Sequence, residues 1–312
     1  METQLRFITK QDKKEGRTVT DYSDSEFQGK VAVITGAGNG LGKSHAIEFA
    51  KRGAKIVVND LGGGVDGSGQ GDAADAVVAE LKAMGAEAIA NKASVSDKEG
   101  AKSIIDDTLN AFGRIDILVN NAGILRDKSF KKMELDEWDI VMDVHLNGTA
   151  YVTHAAWPHM NQQKYGRIVL TSSGSGIYGN FGQANYGAAK MGMLGMMNVL
   201  AIEGGKNNVR VNTLAPGAAT RMIATIPGRD FDVDNPPAER SPALVSPAVL
   251  FMCSEEAPNG AVINAMGGRY YRSQVFVNDP VELGVGATFE DLQAESEKLM
   301  DMGAAHPPNR GP

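Results

Sequence analysis

Tyr186 and Lys190 stand four residues apart in the stretch YGNFGQANYGAAK, residues 178–190. On a helix that spacing sets both side chains on one face. A phenol ordinarily titrates near pH ~10 and is a poor base at neutral pH. A cation close by stabilises the phenolate and lowers that value. So placed, Tyr186 would take a proton from an alcohol, or give one to a carbonyl, while a hydride is exchanged with a nicotinamide. Lys190 would activate it and hydrogen-bond a ribose. Ser173, thirteen residues before Tyr186, ends the apolar run GRIVLTSS and offers a hydroxyl that could hold the substrate oxygen. Tyr-x-x-x-Lys alone recurs by chance on helix surfaces, and a serine at a strand end is a common turn residue. The chemistry therefore rests on what surrounds these three.

A second constellation supplies the hydride carrier. KVAVITG (30–36) is a short apolar run, and the turn after it holds Gly36, Asn39, Gly40, Leu41 and Gly42 before helical sequence begins. Glycines at 36, 40 and 42 permit a tight turn, close approach of backbone to a pyrophosphate, and close packing of helix on strand. The helix N-terminus offers free N–H groups to the phosphates. Asp60 ends the next apolar run, eighteen residues past Gly42. A carboxylate there accepts hydrogen bonds from ribose hydroxyls and repels a 2′-phosphate, which favours NAD over NADP. Between Asp60 and Asp72 there is no lysine or arginine to bind such a phosphate.

The elements that must position these groups alternate. Strand-like runs lie near 30–36, 54–60, 86–91, 114–123, 166–173, 209–217 and 261–266. Helical sequence lies near 41–53, 72–84, 97–112, 134–160, from 185, and 243–254. Alternation of this kind predicts an α/β fold, one doubly wound Rossmann domain with a parallel sheet covered on both faces. Residues 1–26 read as a solvated arm, 27–268 as the dinucleotide-binding and catalytic domain, and 269–312 as a tail with one amphipathic helix over 288–300. A charge of −7 argues against nucleic acid as the main partner. One cysteine, Cys253, cannot form an intrachain disulfide, and no signal-like or membrane-length apolar run occurs. These features point to the cytoplasm.

Taken together, Thr35-Gly36-x-x-x-Gly40-x-Gly42, Asn120-Asn121-Ala122-Gly123, Ser173, Tyr186-x-x-x-Lys190 and Pro216-Gly217 resemble the short-chain dehydrogenase/reductase family. The likeness runs from about Phe27 to Gly268. It implies a seven-stranded parallel sheet and a homodimer or homotetramer. It also implies that Ser94 and Val95 touch the adenine, that Asn121, Ala122 and Gly123 line the cofactor, and that the segment after Pro216 and Gly217 meets the carboxamide. NNAGILRDKSF (120–130) and the run from Gln163 to Lys190 are similar to a narrower subgroup. That subgroup comprises the (3R)-hydroxyacyl-CoA dehydrogenase unit of peroxisomal multifunctional enzyme type 2 and its stand-alone bacterial relatives. The implied partner is a fatty or steroid side-chain acyl-CoA. The family's catalytic asparagine is replaced by His145 in His145-Leu146-Asn147-Gly148, as it is in the subgroup. The imidazole either joins a proton relay or packs the helix.

Four cations in Arg126–Lys132 either attract coenzyme A phosphates or solvate a loop. The glycine-rich loop 61–71 reads as surface near the adenine. Methionines 191, 193, 196 and 197 read as core and subunit interface. The five histidines lack metal-ligand spacing, so no metal is expected. Residues 220–242 read as a lid over the substrate. Three other functions fit the same residues: a hydroxysteroid dehydrogenase, a 3-oxoacyl-carrier-protein reductase, and a nucleotide-sensing regulator without catalysis.

Overall fold

The computed structural model describes residues 25–224, 231–232 and 236–308. The apolar runs form strands because both of their faces are covered. β1 (Val31–Thr35), β2 (Lys55–Asn59), β3 (Ala88–Asn91), β4 (Ile117–Asn120), β5 (Gly166–Thr171), β6 (Val209–Gly217) and β7 (Val262–Met266) are all parallel. The strand order is β3-β2-β1-β4-β5-β6-β7-β8. The chain winds outward from β1 through β2 to β3, then returns to add β4 on β1's other side. Such a reversal opens a crevice at the carboxyl ends of β1 and β4, where ligands bind in sheets of this kind.

The seven parallel strands stand as expected, and an eighth extends the edge. β8 (Arg269–Ser273) runs antiparallel to β7. Gly267 and Gly268, at φ 55° and 73°, make the two-residue turn between them. Its residues, RYYRS, are mostly exposed and form no apolar run, so the sequence carried no strand signal there.

Two apolar layers cover the sheet. One buries α1 (Gly40–Ala50), α2 (Ala73–Ala83) and α9 (Ser246–Cys253) around Phe49, Leu81 and Val249. The other buries α3 (Lys98–Phe112), α5 (Gly148–Gln163) and α7 (Ala184–Gly205) around Ile105, Met160 and Met193. The single helix expected over 134–160 is divided. α4 (Leu135–Met142) and α5 are joined by a π-helical turn, Asp143–Asn147, where the Gly148 N–H reaches the Asp143 carbonyl. Wider turns of this kind recur at functional sites. The helix expected at 288–300 is two short ones, α10 (Phe289–Ala294) and α11 (Ser296–Met300), interrupted at Glu295. α6 (Gly174–Tyr178) lies between α5 and α7 in the chain, and α8 (Arg221–Ala224) between α7 and α9. Among the described residues no helix is long and apolar enough to cross a membrane. The proposed arm falls mostly outside the described residues, as do 225–230 and 233–235 of the proposed lid.

α1, whose N-terminus faces the crevice, is tied to α9 by a buried cluster. His45 Nδ1 lies 2.9 Å from Ser246 Oγ, which lies 2.9 Å from Ser44 Oγ. Burial pushes His45 down from 6.5 to about 3, so it is neutral in the fold. Above pH ~6.5 neither folded nor unfolded chain protonates it; below that the unfolded chain binds the proton first. Its contribution to stability is therefore lost as pH falls from about 6.5 towards 3. Urea unfolding at pH 7 and pH 5 should show wild type losing more stability than His45→Gln. The expected excess is on the order of 1–2 kcal/mol.

Candidate active site

The crevice is built first by glycines that admit no side chain. Gly36 has φ +62°, and a Cβ there would lie 2.7 Å from Ala122 Cα. A Cβ at Gly42 would collide with the Gly36 carbonyl oxygen. One at Gly38 would come within 2.8 Å of Asp60 Oδ2, which accepts the Gly38 N–H at 2.7 Å. Asp60 Oδ1 accepts the Gly62 N–H, also at 2.7 Å. The carboxylate is thus pinned across the mouth of the glycine turn. Asn39, Gly40, Leu41, Asp60, Ser94, Val95, Asn121, Ala122, Gly123 and Pro216 line one cleft with Ser173, Tyr186, Lys190 and His145. Gly36 lines it too, while Gly42 and Gly217 do not. A backbone cradle with no Cβ, opening at a helix N-terminus beside a fixed carboxylate, fits a dinucleotide.

Asn121 does more than line this cleft. Its Nδ2 donates to the Thr35 and Gly36 carbonyls at 3.1 and 3.0 Å. Thr35 Oγ1 in turn accepts the N–H groups of Asn121 and Ala122. The end of β4 is thereby locked to the glycine turn. Ser94 and Val95 are placed by Asn59, buried at the end of β2, which donates to the Ala93 and Asn91 carbonyls.

Tyr186 and Lys190 share the buried face of α7, as their spacing requires. Lys190 Nζ donates to the Thr171 carbonyl at 2.6 Å, and Ser172 Oγ donates to the Lys190 carbonyl at 2.7 Å. Two bonds thus hold the helix against the end of β5. Ser173 caps α6, its Oγ accepting the Ser175 N–H, and also hydrogen-bonds Tyr186. The expected lowering of the Tyr186 pKa by Lys190 does not prevail here. Burial pushes the phenol up to about 12, against the opposing pull of Ser173. Burial also pulls Lys190 down to about 7, so the amine carries only part of its charge at neutral pH. Its Nζ sits over the Tyr186 ring, 5.5 Å from the centroid.

His145 reaches the site from the π-helical turn. Its Nε2 lies 2.8 Å from the Ile124 carbonyl oxygen and 3.1 Å from the Ile124 nitrogen. Its ring meets that of Tyr186 edge-on, with centroids 5.1 Å apart. Burial, followed by the nearby Lys190, holds it well below the usual imidazole range, so it is neutral. A Cβ on Gly123 would collide with its Cε1. The imidazole therefore links the loop after β4 to the tyrosine ring.

The remaining candidates separate. Lys128 is paired with Glu137 at 2.7 Å, and Arg126 Nε donates to the Asp66 carbonyl, leaving Lys131 and Lys132 on an exposed turn. Met193 and Met197 are core, while Met191 is exposed. The loop 61–71 reaches further than the adenine side, since the Leu125 N–H donates to the Val65 carbonyl at 2.9 Å. Asn185, fully buried, was missed. Its Nδ2 donates to the Arg126 and Glu137 carbonyls, and its Oδ1 accepts the Tyr186 N–H. Its place beside Tyr186 was the one available hint, because its partners lie 48 and 59 residues away.

This geometry has counterparts. The short chain dehydrogenase family matches residues 30–227. The chain belongs to that family. It is accordingly an oxidoreductase that uses a nicotinamide cofactor. It is 50% identical over 248 residues to peroxisomal multifunctional enzyme type 2 of Mus musculus, covering 79% of this chain and 33% of that protein. It thus spans about a third of that relative's length. It is 46% identical over 281 residues to a short-chain type dehydrogenase/reductase of Mycobacterium tuberculosis, covering 89% of this chain and 96% of the relative. A crystal structure of a short chain dehydrogenase from Mycobacterium avium superposes with a TM-score of 0.77 at 37% identity. It covers 91% of this chain and 98% of that one.

Gly123→Ala should displace the His145 ring and lower kcat by on the order of 10-fold or more, while thermal unfolding still shows one folded transition. Gly42→Ala should instead weaken cofactor binding, read by titration of NADH fluorescence, by on the order of 10-fold.

Proposed function

We propose that the protein oxidises (3R)-3-hydroxyacyl-CoA thioesters, fatty or steroid side-chain, to 3-oxoacyl-CoA with NAD. The observation that carries this reading is the convergence of Ser173, Tyr186 and Lys190 on the cleft that Asp60 and the glycine turn enclose. The kinship with peroxisomal multifunctional enzyme type 2 supports the acyl-CoA class. The bound nicotinamide would supply the hydride acceptor. Ser173 would hold the substrate oxygen. Tyr186 Oη would accept the hydroxyl proton, and Lys190, beneath the phenol ring, would stabilise the phenolate and anchor a ribose. His145, bound to the Ile124 backbone, would keep the tyrosine ring in place. The N–H groups of the glycine turn would meet the pyrophosphate.

Asp60 supports NAD. Its two oxygens are fixed by Gly38 and Gly62, and no arginine or lysine lies in the loop after it. A 2′-phosphate would face an immovable carboxylate. Asp60→Ser should lower the preference for NAD over NADP by on the order of 10-fold, compared through kcat/KM for the two cofactors.

The deciding assay is NADH formation from matched (3R)- and (3S)-3-hydroxyacyl-CoA, repeated with NADP. Turnover of the (3R) form alone, with NAD, is the expected result. Tyr186→Phe should lower kcat by about 10²–10⁴-fold with cofactor binding retained. Turnover of carrier-protein thioesters or free hydroxysteroids in place of acyl-CoA would reassign the substrate. Cofactor binding without turnover of any secondary alcohol would favour a nucleotide-sensing role.

A further inference from the structure

The first turn of α7 is attached to the loop after β4 by side chains that the acid–base reading does not use. Gln183, 5% exposed, donates from Nε2 to Asp127 Oδ2 at 2.6 Å. Its Oε1 accepts Asn180 Nδ2 at 3.0 Å, and its carbonyl accepts the Gly187 N–H at 2.7 Å. Every polar atom of the Gln183 side chain thus has a partner. Gly182, at φ +81°, carries the chain past Lys128, whose backbone carbon a Cβ would meet at 3.7 Å. Three residues beyond Gln183 stands Tyr186. The amide orients the turn, and the carboxylate orients the amide.

Few charged groups face the tyrosine. Lys190 lies on its own helix, and neutral His145 comes from the π-helical turn. Ser173 comes from the end of β5. α4 and the segment after β4 pack against it with apolar Val141, Ile140 and Ile124. Glu137 of α4 is taken by Lys128. Asp127 is the carboxylate whose charge reaches the phenol and favours its protonated form. The Asp127 carboxyl is itself held above the usual range by burial, against the pull of the Gln183 amide.

We propose that Asp127 and Gln183 form a positioning clasp for Tyr186, the carboxylate orienting the amide and the amide fixing the first turn of α7. This rests on Tyr186 being the proton-transfer group. Neither residue touches the reacting atoms. Gln183 sets the angle of the first turn, and Asp127, which holds Gln183, is also the carboxylate whose charge disfavours the phenolate.

Two variants separate these effects. Asp127→Asn keeps the acceptor for Gln183 and removes the charge. Gln183→Met keeps the charge and removes the bond. The measurement is the pH profile of kcat, which reports the filled cleft, for NAD-dependent oxidation of (3R)-3-hydroxybutyryl-CoA, with thermal unfolding as a control for folding. Oxidation needs the phenol to give up its proton, so activity rises with pH through the tyrosine limb. Removing a negative charge lowers that limb. Asp127→Asn should move it to lower pH at low salt, because a nearby negative charge disfavours the phenolate. The shift should shrink in 1 M salt. Gln183→Met should lower kcat by about 3–10-fold and leave the limb in place. A kcat unchanged by Gln183→Met in folded protein overturns the clasp, and a limb unmoved by Asp127→Asn overturns the part assigned to the Asp127 charge. Tyr186→Phe, run alongside, keeps the two readings apart. If it retains turnover, the acid–base assignment itself fails and the clasp fails with it.

Discussion

The site depends on a buried lysine amine. Lys190 is 3% exposed, and its Nζ donates to the Thr171 carbonyl at the end of β5. Removing a charge from water costs several kcal/mol unless partners replace the solvent, so the surroundings must close tightly on it. They do so at the expense of sequence freedom. Gly176 of α6 has to lack a side chain, because a Cβ would meet Lys190 Cβ at 2.7 Å. Ser172 is committed to the Lys190 carbonyl. The same contacts that confine the lysine dock α7 on the sheet and carry Tyr186 to the cleft.

Burial also sets the proton balance. It pushes Tyr186 up to about 12 and Lys190 down to about 7, so both groups move towards their neutral forms. Ser173 opposes the first shift through a hydrogen bond, and Asp127 reinforces it. Reactivity in such a site is governed by how the cleft is filled, since any polar group that enters replaces part of the lost solvation. The neutral His145 ring beside them adds shape and no charge.

Around Tyr186 and Lys190, backbone does much of the shaping of the cleft. The glycine turn has no room for a side chain at Gly36 or Gly42, and Asn121 and Thr35 lock that turn to β4. Through β4 and the loop beyond it the lock reaches Ile124, where His145 takes hold. The glycine turn and Tyr186 are therefore joined by hydrogen bonds, the backbone from Asn121 to Ile124 and one ring contact. The bond from Leu125 to Val65 brings the glycine-rich loop after β2 onto the same segment.

The sequence by itself determined what depends on local period and local geometry. Buried parallel strands show as apolar runs, the tight turn as glycines at 36, 40 and 42, and the Tyr186–Lys190 pair as a four-residue helical spacing. Asp60 was legible because it follows the second of those runs at a defined distance. Only the tertiary structure decided the rest. β8 exists because two left-handed glycines turn an exposed, unpatterned segment back onto β7. The π-helical turn that aims His145 leaves no mark in composition. Gln183 and Asp127 are 56 residues apart, and Asn185 and its backbone partners 48 and 59, so no local pattern could join them. The direction of the Tyr186 shift was equally hidden. Spacing shows that a cation is near, but burial is a property of the whole fold, and burial outweighs it.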